Sequence, residues 1–92
     1  MRKVRMNVEG RVQGVGFRYM TKMVADELGV RGKVWNEDNG SVSIEAIADN
    51  ETMQAFIARV KASPSPSGRV TTLTLQDDST IEERKKFDVT YW

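Results

Sequence analysis

Ninety-two residues, 39% apolar and 29% charged, make one small domain (residues 1–92), near the lower limit for a self-sufficient single core. With no Cys, disulfides, thiolate metal sites and a cysteine nucleophile are excluded; with no His, so are the commonest zinc ligand and the commonest general base. The net charge of +1 is uneven, eight Lys/Arg against three Asp/Glu in residues 1–35 and six against ten afterwards, so the basic half suits a small anion.

In chain order, the basic start Met1-Arg2-Lys3-Val4-Arg5 runs straight into an alternating pattern rather than an apolar stretch, so no signal peptide is expected. No apolar run approaches the roughly 20 residues needed to cross a bilayer, and a cytoplasmic monomer is the expectation. Val4, Met6 and Val8 alternate with Arg5, Asn7 and Glu9, which predicts a half-buried strand reaching Val12. A glycine turn, Gln13-Gly14-Val15-Gly16-Phe17-Arg18, leads into a helix in which Met20, Met23, Val24 and Leu28 recur at helical spacing. Gly29 is its natural C-terminal cap.

Val30 to Trp35 reads as a second strand, and Asn36 to Gly40 as a hairpin connection whose Asn-Gly step tolerates positive φ. Val42, Ile44 and Ala46 mark a third strand. Asp49 or Asn50 caps a second helix with Met53, Phe56, Ile57 and Val60 on one face. The stretch Ser63 to Gly68 is a turn, too short for a domain linker. Val70 to Leu75 is a Thr-rich fourth strand, followed by a polar stretch and a last short strand, Phe87 to Tyr91.

This order predicts an α+β fold of the ferredoxin-like β-α-β-β-α-β plan: a mainly antiparallel sheet, two helices on one face, and a short extra C-terminal strand. In that plan the first two strands run parallel with the third between them. Their C-terminal ends share one edge, so the glycine turn and the hairpin at Asn36 become neighbours, about two strand spacings of 4.8 Å apart. Arg18 and Asn36 are expected to converge there.

The turn is neither a Walker motif, since no Gly-Lys-Ser/Thr follows, nor a dinucleotide fingerprint, since the third glycine is missing. Its glycines could serve only a tight strand-to-helix turn. Arg18, however, sits at a helix start against the usual dipole preference, a placement that costs stability unless an anion compensates it. Backbone N–H groups at a helix N-terminus form a ready anion site.

The run Val8-x-Gly10-x-Val12-Gln13-Gly14-Val15-Gly16-Phe17-Arg18 resembles the complete N-terminal signature of the acylphosphatase family. The frame Gly32-x-Val34-x-Asn36-x-x-x-Gly40-x-Val42 is similar to its second signature, and Phe87-x-Val89-x-Tyr91 to its ending. Three positions depart from the family pattern: Lys33 where an aromatic is usual, Trp35 where a basic or small polar residue is usual, and Ala48 in place of Gly. Lys33 and Trp35 alternate onto the sheet face opposite Asn36, so an exchange of aromatic and basic residues there leaves the catalytic frame intact.

The resemblance implies a hydrolase that cleaves the carboxyl–phosphate anhydride of acyl phosphates to carboxylate and inorganic phosphate. It implies that Gln13, Gly14, Val15, Gly16, Phe17 and Arg18 bind the phosphoryl group and that Asn36 orients the attacking water. No cofactor and no metal are expected. Glu37-Asp38 and Asp77-Asp78 are candidate Mg²⁺ ligands, but carboxylates in polar turns are ordinarily just solvated. Glu37, beside an anion pocket, should point away from it. Tyr19 and Lys22 either border the pocket or lie on the surface, and Met20, Met23 and Met53 read as core filling.

Two other readings compete. One is a non-catalytic small-anion-binding or regulatory domain of the same fold. The other is an RNA-binding module, disfavoured because strands one and three offer Met6, Val8, Val42 and Ile44 and no aromatic for base stacking. The pI of about 8.0 also lies below the value above about 9 usual for a nucleic-acid binder.

Overall fold

A computed structural model describes residues 1–90. The chain forms β1 (Arg2–Arg11), α1 (Phe17–Leu28), β2 (Arg31–Asn36), β3 (Val42–Ala48), α2 (Asn50–Lys61), β4 (Arg69–Asp77) and β5 (Phe87–Val89). The expected Tyr91 end of the last strand lies outside the described residues. The sheet order is β4-β1-β3-β2-β5. β3 pairs antiparallel with both β1 and β2, β4 antiparallel with β1, and β5 parallel with β2. β1 and β2 are therefore parallel across β3, and the fold is ferredoxin-like α+β.

Alternation builds the core. Val4, Met6 and Val8 of β1, Val34 of β2, and Val42, Ile44 and Ala46 of β3 point to the helix layer and are fully buried or nearly so. Met53, Phe56 and Val60 of α2 meet them, and Phe56 packs edge-on to Phe87 of β5 with centroids 6.0 Å apart. Burying a side chain of this size contributes about 1.5–3 kcal/mol. Val12 is also buried, although the strand ends one residue before it.

In α1 the buried stripe is Phe17, Thr21, Val24 and Ala25. Met23, expected in the core, is exposed, and Met20 is only half-buried. At about 100° per residue, Phe17 and Thr21 set the centre of the stripe and leave Met23 well outside it. Counting Phe17 as loop and passing over polar Thr21 rotated the expected face.

The opposite sheet face is not bare. β4 and β5 occupy opposite edges, so the segment 78–86 must cross that face. Lys3 Nζ donates to Ile81 O at 2.7 Å, and Arg31 Nη1 to Arg84 O at 3.1 Å, holding the crossing down. Ile81 is buried within it, and Ile47, in register with Lys3 and Arg31, is buried on this face. Ile81 was not legible as core because the stretch around it is polar, and Ile47 because alternation puts it on the face opposite Val42, Ile44 and Ala46.

Candidate active site

β1 ends at Arg11, and the next five residues turn the chain into α1. Gly14 and Gly16 take φ of 76° and 77°, the left-handed region that glycine enters without a Cβ penalty. A Cβ at either position would meet nothing within 4 Å, so conformation, not space, requires glycine there. Gly16 caps α1 without any side-chain hydrogen bond, and the first turn carries no acid. In α2, by contrast, Asp49 accepts from Thr52 N at 2.8 Å and Glu51 adds negative charge. Only the first helix leaves its positive end to something other than its own side chains.

That end opens on a cavity of about 140 Å³ lined by Val12, Gly14, Gly16, Phe17, Arg18, Tyr19 and Val89. Four of the six expected phosphate-loop residues therefore line it. Gln13 and Val15 turn elsewhere and pin the loop. The Gln13 amide donates to Glu37 O at 2.8 Å and Ser41 O at 2.9 Å, tying the loop to the hairpin after β2. On the other side Ser65 Oγ donates to Val15 O.

Arg18 is aimed by the far end of the chain. Its Nη1 donates to Thr90 O at 2.9 Å, while Thr90 N donates to Val34 O at 2.9 Å. The guanidinium is thus held beside β2, two residues before Asn36. Asn36 ends β2 opposite Val42, on the same side of the strand as buried Val34, and its Oδ1 is shielded from solvent. The expected juxtaposition of glycine loop and Asn36 hairpin is made by the Gln13 bonds. Asn36 itself does not line the cavity.

Glu37 turns away from the loop, as expected for a carboxylate beside an anion site. Its Oε2 accepts from Trp35 Nε1 at 3.2 Å and from Ser43 Oγ at 2.6 Å on the helix-free face. Asn7 Nδ2 donates to Ser41 Oγ and Ser43 Oγ, and Asn39 Oδ1 accepts from Ser41 N and Oγ, so the hairpin is cross-braced. A separate hollow of about 180 Å³ is lined by Asn7, Trp35, Glu37 and Ser43 with Arg5, Met6, Thr74 and Gln76. Arg5 is paired with Glu45 and Asp78, and none of the lining residues belongs to the glycine loop.

Asp77 pairs with Arg2, and Asp78 with Arg5 and Thr80. Lys22 donates to Asp26 and to Phe87 O, bracing α1 against β5 rather than bordering the cavity. The residues weighed for base stacking, Met6, Val8, Val42 and Ile44, face the helices instead. The open face of those strands carries Arg5, Asn7, Ser43 and Glu45, which likewise include no aromatic.

Comparison with known proteins agrees with this geometry. Residues 4–89 match the family model Acylphosphatase. The chain belongs to the acylphosphatase family. It is 64% identical over 89 residues to an acylphosphatase of Enterococcus faecalis, covering 97% of this chain and 98% of that one. An acylphosphatase of Pediococcus pentosaceus is 55% identical, covering 83% and 84%. The crystal structure of acylphosphatase from Bacillus subtilis superposes with a TM-score of 0.93 at 38% identity, over 99% and 100% of the two chains.

As a family member the chain is a hydrolase acting on acid anhydrides. The departures at Lys33 and Trp35 do lie on the face away from Asn36, with Lys33 Nζ 4.9 Å from the Trp35 ring centroid. That contact accounts for the two residues as a pair, a cation over an indole. No helix is long and apolar enough to cross a membrane, among the described residues.

Proposed function

We propose that the glycine loop seats the phosphoryl group of an acyl phosphate and that Asn36 holds the water that attacks it. The observation that carries this reading is the cavity shared by Gly14, Gly16 and Arg18 at the uncapped start of α1, bolted by Gln13 to the hairpin that begins at Asn36.

Phosphoryl transfer passes through a loose transition state, so the protein chiefly positions the parts and stabilises charge on the equatorial oxygens. Main-chain N–H groups of residues 14–18 and the Arg18 fork act on that charge from fixed positions. Asn36 holds the water through its side-chain amide, which sets the line of attack without any titrating group. The water oxygen bonds to phosphorus as the bond to the carboxylate oxygen breaks, and the carboxylate leaves with that electron pair. The water proton passes to a phosphate oxygen.

The leaving carboxylate has a conjugate-acid pKa near 4, roughly that of Asp or Glu side chains, so it departs without a general acid. A chain with neither His nor Cys is suited to this substrate class and poorly suited to phosphate monoesters of alcohols. The reaction needs no metal or cofactor, and residues 1–92 act as a single-domain monomer in the cytoplasm, without a nucleic-acid or membrane partner.

The test is hydrolysis of benzoyl phosphate by the purified chain in the presence of a chelator. Arg18→Ala abolishes inhibition by inorganic phosphate and lowers kcat/KM by roughly 10²-fold or more. Asn36→Ala lowers kcat by roughly 10²-fold while leaving phosphate inhibition unchanged. Equal loss of phosphate binding in both variants contradicts the assigned roles.

A further inference from the structure

The cavity at the start of α1 is lined by the apolar side chains of Val12, Phe17 and Val89 and by Tyr19, besides the glycines and Arg18. Tyr19 is 61% exposed and Met23 is 49% exposed, two of the four large apolar side chains left in solvent among the described residues. They are four residues apart on α1, hence neighbours on one face. Side chains on a helix lean toward its N-terminus, which carries Met23 over the turn holding Tyr19 and Tyr19 over the glycine loop. Exposed apolar surface continuous with a cavity marks a binding site more often than chance solvent exposure does.

We propose that Tyr19, backed by Met23, is the subsite for the acyl group and biases the enzyme toward acyl phosphates with aromatic or bulky apolar acyl groups. The inference rests on the phosphoryl seat proposed above. With the phosphate held by Gly14, Gly16 and Arg18, the acyl end of the substrate leaves by the cavity mouth. There it meets an aromatic ring on one side and aliphatic groups on the other. Acetyl phosphate is too short to cover that ring, whereas a benzoyl group has the area and the π-face to do so.

The experiment compares kcat/KM for benzoyl phosphate and acetyl phosphate in the unmodified chain, Tyr19→Ala, Tyr19→Phe and Met23→Ala, with inhibition by inorganic phosphate measured on each. Both side chains are exposed, so the variants fold. Tyr19→Ala is expected to reduce the benzoyl-to-acetyl ratio by about 3- to 10-fold, the range of a lost aromatic contact. Tyr19→Phe retains the ratio, Met23→Ala lowers it by less, and phosphate inhibition stays constant throughout. An unchanged ratio in Tyr19→Ala overturns the subsite while leaving the phosphoryl seat standing. A phosphate inhibition constant that moves with both substrates also overturns it, since Tyr19 would then belong to the anion seat. Failure of the unmodified chain to hydrolyse either compound overturns the seat itself, and the subsite with it.

Discussion

Gly14 and Gly16 are where a single atom decides the site. Their left-handed φ makes the turn from β1 into α1, and an added Cβ costs roughly 1–2 kcal/mol in that conformation. Gly16→Ala is therefore expected to lose about that much stability, read as a lower urea midpoint at unchanged m, together with weaker phosphate inhibition. The glycine turn and the place of Arg18 at the helix start were legible in the sequence because they follow from residue type and immediate spacing. Ser65 and Thr90 were not. Their partners, Val15 and Arg18, lie 50 and 72 residues away, and nothing local about a serine before a proline or a threonine just after a short strand announces such a contact.

Among elements, the two helices and the hairpin divide the labour. α2 is closed at its start by Asp49 and is structural, whereas α1 offers its start to the cavity. Gln13 couples α1's loop to the Asn36 hairpin through two carbonyls of the hairpin segment. Gln13→Ala removes both bonds, while Glu37 O and Ser41 O keep their main-chain donors Gly40 N and Glu37 N; it is expected to lower stability by about 1–3 kcal/mol, two hydrogen bonds' worth, and to reduce kcat more than it weakens phosphate inhibition. Denaturant unfolding and the kcat-to-inhibition split check this, and an equal effect on both kinetic quantities would place Gln13 in the anion seat instead. Element types and order were readable from periodicity, since periods of 2 and 3.6 are local properties of the chain. The face of α1 was misjudged at Met23 because burial there depends on where Phe17 and Thr21 are received by the sheet.

For the molecule as a whole, the absence of His and Cys removes every imidazole and thiol that could switch stability near neutrality. Three carboxyls sit below their ordinary range: Asp49 through hydrogen bonds from Thr52, Asp78 through those from Thr80, and Glu83 through Lys3. A carboxyl held low in the folded state favours folding wherever it is ionised in both states. That contribution is complete above the ordinary value near 4 and is lost as pH falls through the lowered one. The urea midpoint is thus expected to stay flat above about pH 5 and to drop below about pH 4. A midpoint that rises on acidification to pH 3 contradicts the assignment. Two of the three groups, Asp78 and Glu83, belong to the stretch around the crossing over the helix-free face, so acid should loosen that crossing first.

The sequence by itself determined the elements, their order and the glycine turn at the start of α1, because propensity, period and backbone chemistry act over a few residues. Only the tertiary structure decided what braces the turn, which face of α1 is wet, where β5 adds to the sheet and that a polar segment buries Ile81 across it. Those outcomes depend on groups brought together from opposite ends of the chain, and their stabilisation exists only once the sheet has closed around them.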